Sequence, residues 1–342
     1  MFTQPKHIYS LLVCGILLAF WANTTPTQAI TVSPVKTELT ASAGSILTIT
    51  FDAYNDQKES KVYYLDYQTF NAKDESGNPV LSRQKEGISQ WFSGPSDITL
   101  GPSERQKITV LLSVPTDADA GGHFAAILLR NEPPQIAAEA DGVAIGSQIG
   151  MLVLLRVSGD FTEGADILEF STAQNRKFFS TLPVDFFYRF QNNGEDWAKP
   201  LGDVVIENAW GKTKKIIPAN PTGGNVLPKS IRKYTASWLT KSGDTENPQN
   251  QPPPSAPNTF FAKVQHQATY APIGWYKARL TLTYGSQNQN RAQITTSFWI
   301  IPWELLAVVI PSGIVALLIL RLALKQYNKY IIAREKRRRE IG

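Results

Sequence analysis

Leu47-Thr-Ile-Thr-Phe-Asp-Ala-Tyr54 alternates without a break: Leu47, Ile49, Phe51 and Ala53 are apolar on one parity, while Thr48, Thr50, Asp52 and Tyr54 occupy the other. A period of two places such residues on opposite faces of a strand, so the stretch is half-buried β-structure. The pattern recurs along the chain. Ile108, Val110, Leu112 and Val114 form one such face, Val184, Phe186, Tyr188 and Phe190 another, and Tyr276, Ala278, Leu280, Leu282 and Tyr284 a third. Phe124–Leu129 and Gly150–Leu155 are apolar on both parities, as central strands covered on two faces are. Turn formers separate these runs at Ala43-Gly44, 74–79, Gly94-Pro95, Gly101-Pro102, Gly121-Gly122 and 192–194. No helical period competes with them. An all-β fold of short-stranded sandwiches follows.

One pattern occurs twice. Phe51-Asp-Ala-Tyr-Asn55 and Phe187-Tyr-Arg-Phe-Gln-Asn192 each end a strand before a polar turn, and each is followed at a distance by a glycine and aromatics that open an apolar strand, at Gly122-His-Phe and Gly274-Trp-Tyr. Two tandem immunoglobulin-like β-sandwiches are therefore expected, over residues 30–160 and 165–300, with a hinge at 159–164. The second carries an insertion, 241–261, rich in Pro, Asn, Gln and Ser and expected to be a solvated loop.

The two ends of the chain set its topology. Lys6 precedes an apolar stretch from Ile8 to Ala22 and a polar segment reaching Gln28-Ala29, so residues 1–29 are expected to be a secretory signal, with the mature chain starting near Ile30. At the other end Trp299 and Trp303 lead into an uncharged apolar run from Leu305 to Leu320. A transmembrane helix over 303–324 matches a hydrocarbon core of about 30 Å at about 1.5 Å of rise per residue. Trp299, Trp303, Arg321 and Lys325 are its expected membrane-interface residues. Pro311 would kink it tolerably if nearby groups satisfy the freed carbonyls. Residues 321–342 hold eight cations against Glu335 and Glu340, so the basic tail 325–342 is expected in the cytoplasm and the sandwiches outside, in a single-pass cell-membrane protein of type I.

The net charge of +5 is thus a topology signal. With Lys6 and the +6 of the last 22 residues set aside, the stretch between carries −2, and no basic face with interleaved aromatics points to nucleic acid. The tail is suited to anionic membrane lipids. Cys14, the one cysteine, falls in the expected signal, which leaves the exported part without disulfides or thiolate metal sites. His123 and His266 stand without metal-ligand spacing. Asp117-Ala-Asp119 lacks the twelfth-position carboxylate of a calcium loop, having Leu128 there. No nucleophile elbow, zinc-protease helix or phosphate loop is present. No catalytic residue, cofactor site or metal site is assigned, and a non-enzymatic protein is expected.

Candidate contacts are aromatic. Trp91 and Phe92 lie between Gly and Pro turns and offer a glycan-stacking platform, with a core or edge aromatic as the plain alternative. Tyr64 points away from the face shared by Tyr63, Leu65 and Tyr67. Of Trp197, Trp210 and Trp238, Trp197 follows the turn at Gly194 and is the expected contact for glycan or protein, unless it is core.

Ser33-Pro34, Phe51–Asn55, Ile98-Thr-Leu-Gly-Pro-Ser-Glu104, Val114-Pro115 and Gly121-Gly-His-Phe-Ala-Ala126 resemble the first domain of the WxL-interacting protein family, as do the tandem domains, anchor and basic tail. The resemblance implies a cell-surface protein whose first domain is associated with peptidoglycan and whose second meets surface-protein partners. The expected role is a membrane-anchored extracellular envelope binder, of cell-wall polysaccharide or envelope surface proteins. A structural spacer in a membrane-bound complex is the alternative. The first domain is also similar to that of periplasmic pilus chaperones, which implies a third reading, binding of partner strands.

Overall fold

The computed structural model describes residues 30–82, 84–133, 148–239 and 259–341. The expected signal 1–29, with Cys14, and residues 241–258 of the expected loop lie outside them. The chain divides into two compact units, Met1–Phe70 with Leu81–Gly159, and Asn71–Val80 with Asp160–Gly342.

The first sandwich is built from β1 (Ile30–Ser33), β2 (Lys36–Ala41), β3 (Ile46–Asn55), β4 (Lys61–Ala72), β5 (Pro79–Leu81), β6 (Phe92–Ser93), β7 (Asp97–Leu100), β8 (Arg105–Ser113), β9 (Gly121–Arg130) and β10 (Gln148–Val157). One sheet has the order β1-β3-β8-β6; the other runs β2-β10-β9-β4-β5, with β7 also on β4. The alternating faces meet between them: Ile49, Phe51, Ala53, Ile108, Val110 and Leu112 pack against Leu129, Met151, Val153 and Leu155. Ala126, Leu128 and Leu154, of the opposite parity, are buried too, so β9 and β10 are covered on both faces.

The second unit repeats this order. Its strands are β11 (Ala165–Thr172), β12 (Phe178–Phe179), β13 (Val184–Asn192), β14 (Leu201–Asn208), β15 (Thr213–Pro218), β16 (Ile231–Trp238), β17 (Gly274–Tyr284) and β18 (Asn290–Ile300), arranged as β11-β13-β16 and β12-β18-β17-β14-β15. In both units the first strand pairs antiparallel in one sheet and the chain then crosses to pair parallel in the other, as β2 does with β10 and β12 with β18. Trp238, Phe186, Tyr188, Phe190 and Phe298 fill the core. Burial pushes the hydroxyls of Tyr188 and Tyr234 well above the usual phenol range.

The repeated asparagines explain why the turns recur. Asn55 is fully buried; the two N–H of its Nδ2 are shared among Glu59 O (2.9 Å), Gly101 O (2.9 Å) and, more distantly, Leu100 O (3.2 Å), while Oδ1 accepts from Gln57 N (3.2 Å). Asn192 does the same work: Nδ2 donates to Asp196 O (2.7 Å) and Val226 O (2.9 Å), and Oδ1 accepts from Gly194 N (2.9 Å). A primary amide can donate twice and accept at the same site, so one side chain ties three pieces of loop to a strand end.

Among the described residues, two α-helices complete unit 2: α1 (Phe260–Tyr270) and α2 (Trp303–Ile341). The first corrects the expectation of loop through Phe261 and of no helix among the strands. Pro257 and Pro272 bracket a run free of Gly and Pro, and Thr259 caps it, its side chain accepting from Ala262 N at 3.4 Å. α2 is long and apolar enough to cross a membrane over Trp303–Ile332, and it fits a single-pass anchor. The helix continues through the basic residues instead of ending at 324. At Pro311 the backbone stays helical, with Ser312 Oγ donating to Val308 O (2.6 Å) and Val309 O (3.1 Å).

Candidate partner-binding edges

Neighbouring strands here differ in length, and the longer one is left with unpaired backbone on one side. β2 reaches along β10 only from Leu152 to Val157. Gln148–Met151 are held extended by β9, opposite Arg130–Ile127, and among the described residues no strand pairs with their other edge. Leu152 N donates to Val35 O (2.9 Å), which fixes the parity: N–H and C=O of Gln148 and Gly150 point the same way, away from β9. A strand this placed can accept another by backbone hydrogen bonding. Gly150 is demanded by the pairing, because a Cβ there would stand 2.3 Å from Ile127 O.

The residues along this edge, Gln148, Ile149, Gly150 and Met151, are uncharged, and beside it, where β2 begins, Val35, 71% exposed, is followed by Lys36, which pairs with Glu38 at 2.9 Å. Across the sheet, Gln148 is opposite Arg130 and Arg130 opposite Tyr64, so these three share one row of one face. Arg130 Nη1 is tied to the buried Asp66 at 3.1 Å, which leaves half-buried Tyr64 as the neutral aromatic of the row.

Among the described residues the sheet-terminal strands β1, β11, β15 and β16 have no strand on their outer side, and β8 and β18, like β10, outreach a shorter neighbour. β6 pairs only with Leu111 and Leu112 of β8, so among the described residues no strand pairs with Arg105–Val110 on that side. Exposed Arg105 and Lys107 occupy that stretch, and edge charges oppose strand addition. β12 pairs only with Trp299 and Ile300 of β18. Since Trp299 N donates to Lys177 O (2.7 Å), the outward N–H groups upstream belong to Arg291, Gln293, Thr295 and Ser297, a polar stretch opened by a cation.

The expected aromatic contacts do not gather into one surface. Trp91 and Phe92 are half-buried at the margin of the first core: Trp91 lies 4.8 Å from the His123 ring, and Phe92 stacks on Tyr67 at 5.0 Å. Burial pushes the Tyr67 hydroxyl up to about 12. His123 and Tyr64 lie toward opposite ends of their sheet, since His123 pairs with Leu155 and Tyr64 with Arg130. Trp197 is corrected as a surface contact. It is 7% exposed, in the loop that Asn192 fastens, so its ring supports that loop and cannot face a ligand. Of Trp197, Trp210 and Trp238, the exposed one is Trp210, 88% exposed at the turn between β14 and β15. The signal was Asn208-Ala-Trp-Gly211: Asn208 Oδ1 accepts from Trp210 N (3.2 Å) and Lys212 N (2.9 Å), a turn that projects the intervening side chain.

Trp299 and Trp303 are exposed at the root of α2, and Arg321 and Lys325 are exposed along it. Among the described residues no group of three His, Cys, Asp or Glu could hold a metal ion. His123 Nε2 meets Asp119 O at 2.9 Å and His266 Nδ1 meets Thr181 Oγ1 at 3.4 Å, separate local contacts.

No family model matches the chain, and no curated protein matches it. Solved structures similar to it include the class 5 fimbriae chaperone CfaA, at 10% identity over 79% of this chain and 99% of that chain with a TM-score of 0.37. The Pseudomonas aeruginosa chaperone CupB2 (10% identity, 78% and 100% covered, TM-score 0.32) and the E. coli chaperone DraB (10%, 79% and 97%, 0.33) are others. Similarity at this level bears on neither activity nor partner.

Proposed function

We propose that this chain is a membrane-anchored, non-enzymatic binding protein of the cell envelope, with two immunoglobulin-like sandwiches held outside the membrane by α2. Its ligand is an extended segment of a protein partner added to the open edge of β10. The observation that carries this reading is the neutral, pre-extended edge of Gln148–Met151 beside exposed Val35. Backbone pairing supplies affinity in such a mode and neighbouring side chains supply selectivity. The polysaccharide reading is the weaker one: Trp91 and Phe92, packed into the core margin, leave little free ring for a sugar face.

Gln148→Pro tests the edge, because it deletes an outward N–H at the first residue of the strand and leaves the bonds to β9 in place. Thr295→Pro does the same on β18 and serves as the comparison. The full chain in nanodiscs is offered envelope proteins and isolated sacculi. Capture of a protein that survives in Thr295→Pro and falls about tenfold in Gln148→Pro, as loss of roughly 1.4 kcal/mol would give, supports the reading. Sedimentation with sacculi in both variants would favour polysaccharide, and no capture by either would favour the spacer.

A further inference from the structure

The end of unit 2 from which α2 departs is ringed by exposed apolar side chains from separate parts of the chain. β18 leads through Ile301 and Pro302 directly into Trp303, so the level of Ile300 marks that end of the sheet. The strand register places the others. Gly274, opposite Ile300, opens β17, with exposed Ile273 just before it. Phe178, exposed, pairs with Trp299. β14 runs antiparallel to β17 and ends with Asn208 opposite Tyr276, so the turn carrying Trp210 projects from the same end.

α1 is fastened there as well. Gln267, buried, donates through Nε2 to Glu304, and its Oε1 accepts from Leu305 N at 2.9 Å, so one amide clasps a carboxylate and a free N–H of the first turn of α2. The clasp holds α1 with Phe261, 78% exposed, and Phe260 uncovered at its N-terminus. Exposed Lys177, Lys212 and Lys263 stand on the same segments. Of the described carboxylates at this end, Glu304 is bonded by Gln267, Glu207 by Arg279 at 2.7 Å, and exposed Asp185 accepts from Ser237 Oγ at 2.7 Å.

We propose that this rim is seated in the headgroup layer of the bilayer that α2 spans, with Phe261 and Trp210 inserted and α1 lying along the interface. Aromatics with adjoining lysines are the composition of a membrane–water boundary, where rings enter the acyl edge and ammonium groups meet lipid phosphates. Continuity with α2 selects lipid over a protein partner, since a spanning helix brings its own root to that boundary. The inference rests on the anchor reading.

The test is nitroxide depth in liposomes of phosphatidylglycerol and phosphatidylethanolamine, using the full chain with Cys14→Ser. Single labels are placed at Phe261→Cys, Trp210→Cys, Leu317→Cys in the span and Gln287→Cys at the opposite end of unit 2. All four positions are exposed, so labelling spares the core. Collision with oxygen relative to a water-soluble nickel chelate should be several-fold higher at 261 and 210 than at 287, and highest at 317. Labels at 261 or 210 as aqueous as the one at 287, beside a lipid-exposed 317, overturn the seated rim and leave the anchor standing. An aqueous label at 317 overturns the anchor and the rim together. Labels at 261 and 210 shielded from both relaxants mean a protein occupant, which also overturns the proposal.

Discussion

Replacing Asn192 by Ala tests the claim that one amide holds the loop end of unit 2. The substitution deletes three buried hydrogen bonds, to Asp196 O, Val226 O and Gly194 N. Val226 O retains the bond from Ala198 N (2.9 Å), whereas buried Gly194 N loses the acceptor that Asn192 Oδ1 supplies. A net hydrogen bond is worth about 1 kcal/mol and a stranded buried group costs about 1–3 kcal/mol, so the loss should be about 3–5 kcal/mol. For a unit of this size that is a fall of roughly 10 °C in melting midpoint. Asn208→Ala is the control: its Oδ1 serves an exposed turn, where water replaces the lost partner, and about 1 kcal/mol is expected. Calorimetry of the full chain in detergent, with near-ultraviolet circular dichroism following the tryptophans, reads both. A shift for Asn192→Ala no larger than that for Asn208→Ala would refute the reasoning. Asn55→Ala should behave as Asn192→Ala does, because it loses bonds to Leu100 O and Gly101 O in the same way.

Trp197→Ala should cost about 3–5 kcal/mol while captured partner per folded molecule stays unchanged, read by melting beside pull-down. Tyr67→Phe should leave stability unchanged or raise it by about 1 kcal/mol, because the buried Tyr67 hydroxyl has no hydrogen-bond partner among the described residues; a fall in midpoint would show that the hydroxyl is satisfied in solution. Gln267→Leu should loosen α1 from α2, seen as faster amide exchange across 260–270 in mass spectrometry, with the β18 amides unaffected.

Alternation exposed the strands because burial on one face of a sheet writes a period of two directly into the chain: Leu47–Tyr54 and Val184–Phe190 lie in β3 and β13, and the apolar parity faces the core in each. The same principle hid α1. Its face toward the protein is made by one buried glutamine and half-buried Ala262, Val264 and His266, so no stripe of large apolar residues marks it. Its two phenylalanines point outward, where a period-based reading assigns no helix at all. Trp197 and Trp210 show the other limit. Both follow turn-forming asparagines, Asn192-Asn-Gly and Asn208, and the local wording is nearly equivalent. What separates them is that Asn192 turns its amide inward to three loop groups and draws its loop over the core, whereas Asn208 serves only its own turn. The open edge of β10 is still less legible, because it depends on where β2 stops, a difference in length between two strands more than a hundred residues apart. A candidate site made of backbone left unpaired has no residue type of its own, and only the register of the sheet reveals it.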